Sequence, residues 1–291
     1  MQNRKTMEIP NLIQPTEMVL IEEGGYGEIY KAKVKSKTVI VKKQKEAHYL
    51  CLEGFQREVF VLKTLFKKPH IAELYDFYWE DKLAHLVLKY YELGDLSHYI
   101  NVNGGFSIQD AKHLMQQLLI GLNAMHSLRI AHCDLKAENI LLCHKEGKLH
   151  AVLADFGCSI YCTTKFVSGT LGSPSYLAPE QLLGKAHSPF LSDMFGIGVI
   201  FYEMLFGENP FFDPNFDLKQ ISLKTLHFIS NDVPIKDAAA KSFFIKLVEP
   251  NPKKRLNIRS AQKHPFITGK SDAKRTMKDW FLFLKKESLV Q

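Results

Sequence analysis

The feature that most limits what this chain can fold into is a short apolar stretch with polar, acidic runs at both ends. His132-Cys133-Asp134-Leu135-Lys136-Ala137-Glu138-Asn139 precedes it and Asp155-Phe156-Gly157 follows it. The stretch, Ile140-Leu141-Leu142 and then residues 150–154, reads as two strands turning at Lys145-Glu146-Gly147-Lys148. A hairpin brings its ends together, so Asp134, Lys136, Asn139 and Asp155 are expected to converge on one side of it. Two carboxylates, an amide oxygen and an ammonium at one point suit a magnesium–polyphosphate complex. Hard oxygen ligands hold such a metal, and the lysine neutralises phosphate charge.

The chain changes character along its length. Between residues 18 and 41 the pattern is strand, glycine-rich turn, strand, and a further strand at Thr38-Val39-Ile40-Val41. Residues 55–66 carry Phe55, Val59, Leu62 and Phe66 on one helical stripe, and 71–79 and 83–89 read as two more strands. After Gly94-Asp95 the signals turn helical. Residues 111–128 form an amphipathic helix, and 193–205, 238–248 and 258–263 are helical candidates. Asn209-Pro210 and Glu249-Pro250-Asn251-Pro252 punctuate them. Lys31, Lys33, Lys35 and Lys37 alternate as the solvent face of a β-hairpin would.

Composition narrows the function classes. A formal charge of +7 tolerates acidic partners, but the charge is spread out and no aromatic–basic reader motif appears, so nucleic acid is not an expected partner. The five cysteines (Cys51, Cys133, Cys143, Cys158, Cys162) are odd in number and lack Cys-x-x-Cys spacing. With no visible signal peptide they predict reduced thiols and an intracellular, cytoplasmic location. The apolar stretch at 195–206 is broken by glycines and Glu203, which argues against a membrane span. Oligomeric state is left open.

The two runs flanking the hairpin resemble the protein-kinase family, whose catalytic loop reads H-R-D-L-x-x-x-N and whose metal loop reads D-F-G. The resemblance runs from about residue 18 to 267. It implies an α+β, two-lobed protein-kinase fold, with a small β-rich N-lobe and a larger, mainly helical C-lobe. The expected organisation is a lead-in at 1–14, a kinase domain at 15–268 (N-lobe about 15–90, C-lobe about 91–268, hinge near 90–94) and a tail helix at 269–291. In that tail Met277, Trp280, Phe281 and Leu284 fall on one helical face, expected to pack on the domain.

The resemblance also implies an ATP site. Ile21-Glu22-Glu23-Gly24-Gly25-Tyr26-Gly27-Glu28-Ile29-Tyr30 is similar to the glycine-rich loop G-x-G-x-x-G-x-V, with Glu22 at the first glycine position. Glycine there lets backbone amides approach phosphate. Val39-Ile40-Val41-Lys42 is similar to V-A-I-K, with Ile40 replacing the alanine that lies over adenine. Lys42 would serve the α/β-phosphates and pair with Glu58; Lys43, its rival, faces the opposite way on a strand. Leu88 matches the gatekeeper, Tyr90 and Tyr91 the hinge, and Leu141 the adenine floor.

The implied catalytic groups are Asp134, to accept the substrate hydroxyl proton, and Lys136, to support the γ-phosphoryl, with Asn139 and Asp155 holding Mg2+. His132 is expected in the core with Phe156, Leu62 and Leu74. Asp193 would anchor the catalytic-loop backbone, and Arg255 would pair with Glu180. Gly172-Ser173-Pro174-Ser175-Tyr176-Leu177-Ala178-Pro179-Glu180 is similar to G-T-P-x-Y-x-A-P-E, with Ser173 lining the substrate platform. Lys136 and Ser173 both imply protein substrates phosphorylated on serine or threonine. Cys133 departs from the family arginine that pairs with a phosphorylated activation segment. A thiol cannot make that contact, which predicts activity independent of phosphorylation at Thr163, Thr164, Ser168 or Thr170. The alternatives are a pseudokinase scaffold and a small-molecule phosphotransferase.

Overall fold

A meander of three strands opens the fold: β1 (Thr16–Glu23), β2 (Gly27–Val34) and β3 (Lys37–Gln44). Helix α1 (Tyr49–Thr64) follows, and β4 (Leu74–Glu80) and β5 (Leu83–Lys89) complete one antiparallel sheet in the order β1-β2-β3-β5-β4. The computed structural model describes residues 15–24, 27–45, 49–169, 171–213, 215, 217–231 and 233–269. The expected lead-in, Gly25, Tyr26, Thr170 and the tail from residue 270, with its apolar helical face, lie outside the described residues.

Strand alternation sorts this sheet into two faces. Ala32, Val39, Val41 and Val87 are buried together in a small cluster of their own. In the register, Ile29 and Leu86 lie opposite Lys42, while Lys31 and Leu88 lie opposite Ile40. Those residues share the other face, turned toward α1 and the second half of the chain. Lys31, Lys33, Lys35 and Lys37 are exposed as the sequence predicts. Helix α1 presents Phe55, Val61 and Leu62 to the core. Phe66 does not join that stripe: the helix ends at Thr64, leaving the ring 59% exposed.

Helices dominate the remainder. In order come α2 (Leu96–Asn103), α3 (Ile108–Ser127), the short strand β6 (Ile130–Ala131) and the hairpin β7 (Ile140–Lys145) and β8 (Lys148–Leu153). Next are β9 (Ile160–Tyr161), α4 (Pro179–Leu182), α5 (Pro189–Phe206), α6 (Leu218–Asn231), α7 (Ala238–Leu247), α8 (Ile258–Gln262) and α9 (Pro265–Thr268). Helix α3 is capped by Ser107, whose hydroxyl accepts from Asp110 N at 3.1 Å. Helix α5 starts with a proline in its first turn after Ser188 and ends at Gly207 in the left-handed region. By length and composition α5 could cross a membrane, yet 78% of it is buried inside this fold. Met194, Phe195, Ile197, Val199, Ile200 and Phe201 are fully buried there. One continuous apolar core runs from α1 through α3 and α5 to Phe266.

The strand expected at 71–79 begins only at Leu74. Residues 70–72 are drawn instead to β8: Ala72 N donates to Leu153 O at 2.8 Å and Leu153 N to His70 O at 3.0 Å. This link and the Leu93–Leu142 and Gly94–Leu142 backbone bonds tie the sheet half to the helical half.

Candidate functional site

The β7–β8 hairpin folds in register from Ile140↔Leu153 to Lys145↔Lys148. Its ends meet through Asn139: Ala154 N donates to Asn139 O at 2.9 Å. The Asn139 amide nitrogen donates to Asp134 O at 2.8 Å and to Asp134 Oδ2 at 3.2 Å. Both donor directions are thus committed to Asp134, and Oδ1 is the end of the amide left as an acceptor. Asn139 therefore joins the loop carrying Asp134 to the residue just before Asp155. Asp155 is half exposed and has φ of +54°, a conformation costly for a side chain other than glycine and common at functional sites.

Asp155 also receives Lys42. The Lys42 ammonium lies 2.8 Å from Glu58 Oε2 and 3.0 Å from Asp155 Oδ1. Burial works against this ammonium, but the two carboxylates outweigh it and hold its pKa above the ordinary lysine value. Lys42 in turn is the main cause of the lowered Asp155 pKa, while burial pushes Glu58 up. Lys43, by contrast, lies 3.7 Å from Glu28 on the opposite face. Arg57, on the same helix as Glu58, donates to Gly157 O at 2.8 Å and fixes α1 against the Asp155-Phe156-Gly157 turn. Sequence reasoning missed Arg57; a charged residue beside the paired Glu58 was its only local signal.

Asp134 faces the segment after β9. Its Oδ1 accepts both the backbone N and the hydroxyl of Ser173, each at 2.9 Å. Gly172 makes this approach possible. Its φ is +108°, and a Cβ there would lie 2.5 Å from Cys133 O. Lys136 is half-buried beside this pair and makes no ion pair among the described residues.

The loop itself is held from beneath. Asp193, 2% exposed on α5, accepts from His132 N and Cys133 N at 2.9 Å each, and its Oδ2 lies 2.9 Å from His126 Nε2. His132 is fully buried, 5.3 Å from the Phe156 ring, within the core that includes Leu62 and, at its edge, Leu74. Cys133 has φ of +65°, and burial pushes its thiol pKa well up, so it is a neutral group. Further out, Arg255 pairs bidentately with Glu180 at 2.7 and 2.8 Å, with the guanidinium side chain fully buried.

The remaining expected nucleotide contacts are spread over the facing walls. Ile29, Ile40, Leu88, Tyr90 and Leu141 are half-buried. Gly24 N donates to Gly27 O at 2.9 Å, and a Cβ on Gly27 would meet Lys43 O at 2.6 Å. Glu22 is exposed on β1 opposite Ile29. Tyr91 differs from Tyr90 in being buried. Its side chain is 5% exposed, its hydroxyl accepts from Glu73 N at 3.2 Å, and only its backbone is left for a hinge contact. A link the sequence did not reveal runs from Tyr176, whose hydroxyl donates to Glu203 Oε1 at 2.8 Å. Glu203 Oε2 is buried without a hydrogen-bond partner, and burial pushes this carboxyl up to about 8. The signal was present: a lone carboxylate in an apolar helix must find a partner.

Residues 16–267 match the family model described as protein kinase domain. The chain belongs to the protein kinase family. Among curated relatives, this kinase is 32% identical over 251 residues to the serine/threonine-protein kinase ULK3 of Homo sapiens, covering 84% of this chain and 52% of that protein. It is 32% identical over 253 residues to ULK3 of Xenopus laevis, covering 84% and 53%. To the serine/threonine-protein kinase GIN4 of Saccharomyces cerevisiae it is 32% identical over 219 residues, covering 74% and 19%. The kinase thus spans about half the length of the ULK3 proteins it matches. The sheet-rich and helical halves are the two lobes of the kinase fold.

Proposed function

We propose that this chain is an ATP-dependent protein serine/threonine kinase. The observation that carries the reading is the double role of Asn139, which binds Asp134 and bonds to the residue preceding Asp155. A general base and a metal-binding carboxylate thereby share one corner of the cleft, with Lys42 opposite. The fit to Mg2+ rests on donor chemistry. Asn139 Oδ1 and the Asp155 carboxylate are hard oxygen donors, and no cluster of three His, Cys, Asp or Glu side chains occurs among the described residues. A magnesium ion would take its other ligands from phosphate and water, as that ion commonly does. When bound, it neutralises charge on the phosphates.

In this reading Lys42 binds the α/β-phosphates of ATP, and Ile29, Ile40, Leu88, Tyr90, the Tyr91 backbone and Leu141 enclose the base. Asp134 orients a serine or threonine hydroxyl and takes its proton as the hydroxyl oxygen bonds to the γ-phosphorus. The bond from that phosphorus to the β-phosphate oxygen breaks, and ADP leaves. Lys136, unpaired among the described residues, stabilises the transferring phosphoryl charge. Ser173 holds Asp134 in place from the substrate side. The relatives' description as serine/threonine kinases supports the choice of hydroxyl. We extend the proposal to regulation: with a neutral thiol at Cys133, activity does not require a phosphorylated activation segment. Cys133, Cys143, Cys158 and Cys162 are free thiols, which fits an intracellular setting.

Transfer from labelled ATP with magnesium to generic basic proteins tests the proposal, beside Asp155→Ala. Label on serine or threonine, lost in the variant, is the expected result. Absence of transfer together with a magnesium-dependent thermal shift by ATP would replace it with a nucleotide-binding scaffold.

A further inference from the structure

Between the end of α1, the 67–74 segment and the β7–β8 hairpin lies a pocket of about 390 Å³. Its inner wall is apolar, with Leu62, Leu65, Ile71 and Ala72 all buried. Its outer wall is basic. Lys67, Lys68, Lys89 and Lys145 line it with His70 and His150, whose rings stand 4.7 Å apart. The one carboxylate lining the pocket, Glu73, lies 3.7 Å from Lys89. Three of the four lysines therefore face the pocket without a carboxylate from the described residues. Lys67, Lys68 and Lys145 are exposed.

The two histidines sit within this positive field. His70 Nδ1 lies 2.9 Å from Ala151 O, which fixes that ring over β8. Burial lowers the pKa of both histidines, and Lys145 and His113 lower both further, with Lys89 acting also on His150. Cations crowded around a half-buried, apolar-floored cavity present a site whose missing component is negative charge. None of these groups belongs to the cleft around Asp134 and Asp155.

We propose that this basic pocket docks an acidic segment of a partner protein, an apolar residue of that segment entering the pocket while its carboxylates face Lys67, Lys68 and Lys145. Both halves of the requirement come from the lining: a bare anion would leave the apolar floor unused, and an apolar peptide would leave the lysines uncompensated. The floor also bears on the site, since Ala72 and His70 bond to Leu153, two residues before Asp155. Binding itself requires no phosphoryl transfer, so it is testable whether or not the chain turns over ATP.

The test is fluorescence anisotropy of the full chain with a labelled peptide Glu-Asp-Glu-Leu-Glu-Asp-Glu. Reversing three exposed lysines together (Lys67→Glu, Lys68→Glu, Lys145→Glu) should weaken binding roughly tenfold or more. The same reversal at Lys236, Lys253 and Lys254 should leave it nearly intact. Replacing the peptide leucine by serine should also weaken binding, and the peptide should raise the pKa values of His70 and His150 seen by NMR. Equal loss in both triple variants would overturn the proposal, because net charge alone would then explain binding. So would displacement of the peptide by inorganic phosphate at similar concentration, or an unchanged affinity for the serine peptide.

Discussion

Removing one partner of the Lys42–Glu58 pair should harm stability more than removing both. The ammonium and Glu58 Oε2 are 2.8 Å apart, with side chains 16% and 3% exposed. At an effective dielectric of about 20 their attraction is roughly 6 kcal/mol, offset by several kcal/mol of desolvation for each ion. Truncating either partner leaves an uncompensated buried charge, costing about 3–5 kcal/mol. The two single variants should differ. Glu58→Leu leaves Lys42 with Asp155 at 3.0 Å, so its cost belongs at the lower end. Lys42→Met strips Glu58 of its ammonium, so its cost belongs at the upper end. The double variant replaces both charges by apolar groups and should fall within about 2 kcal/mol of the parent, a coupling of about 3 kcal/mol or more. Urea unfolding followed by far-UV circular dichroism, with m-values checked for constancy, measures all four corners. Additivity to within about 0.5 kcal/mol would refute the reasoning, as would Glu58→Leu proving the more damaging single change. All three variants should lose phosphoryl transfer, so stability and activity separate cleanly.

Asp134→Asn should lower the transfer rate by about 10²–10⁴-fold with little change in ATP affinity, measured by steady-state kinetics and nucleotide titration. Gly172→Ala should reduce both activity and thermal stability, because the new Cβ would meet Cys133 O at 2.5 Å in a left-handed conformation; unchanged melting would count against the packing argument. Glu203 has a folded-state pKa raised from 4.5 to about 8, so its protonated form is favoured by folding and stability is lost as pH rises between those values. Glu203→Gln should therefore stabilise the protein by on the order of 2–3 kcal/mol at neutral pH, with the difference shrinking toward pH 5; a difference independent of pH would reject this assignment. Alanine at Thr163, Thr164, Ser168 and Thr170 together should leave transfer within about twofold, a ceiling set by loss of no charge-assisted contact to Cys133; abolition with rescue by phosphomimics would defeat the proposal.

Local pattern was enough wherever the constraint was local. The hairpin could be read because two apolar runs flank a turn whose Glu146 and Gly147 both adopt positive φ, +53° and +74°, as a two-residue primed turn requires. Strand alternation alone likewise separates Lys42 from Lys43. Helix α5 was foreshortened to residue 193, although Ser188-Pro189 carried the start signal. Helices α2 and α6 went unread: α2 is too short to carry a long apolar stripe, and α6 was passed over although Leu218, Ile221 and Phe228 fall on one helical face. Their caps were the available clues: Asp95 accepts from His98 N and Asp217 from Lys219 N, each at 2.8 Å. Arg57 to Gly157, Tyr91 to Glu73 and Tyr176 to Glu203 are contacts between distant segments. No periodicity encodes them.

The departure at Cys133 gains meaning from what surrounds it. Where an arginine would bind a phosphate on the activation segment, the chain has a neutral, half-buried thiol. In the proposed reading, other contacts supply the order that such a pair would impose. Asp193 accepts both amides at 132–133, so the loop conformation, including the left-handed Cys133, is fixed from α5. Ser173 is bound to Asp134 twice, through backbone and hydroxyl, and Gly172 packs directly on Cys133 O. These contacts join the far end of the activation segment to the catalytic loop without any phosphate. Several hydrogen bonds to carboxylates, at about 1.5–3 kcal/mol each, are of the size needed to hold a segment that a single phosphate would otherwise order. Restoring arginine at 133 should therefore gain little. It would place a cation in a cavity of about 220 Å³ lined by Cys133 itself, Asp134 and Asp193 with the apolar Leu135, Ile160, Leu171 and Leu177. In the absence of a phosphate, that charge would have Asp193 as its nearest acceptor and would compete for the oxygens that hold the loop.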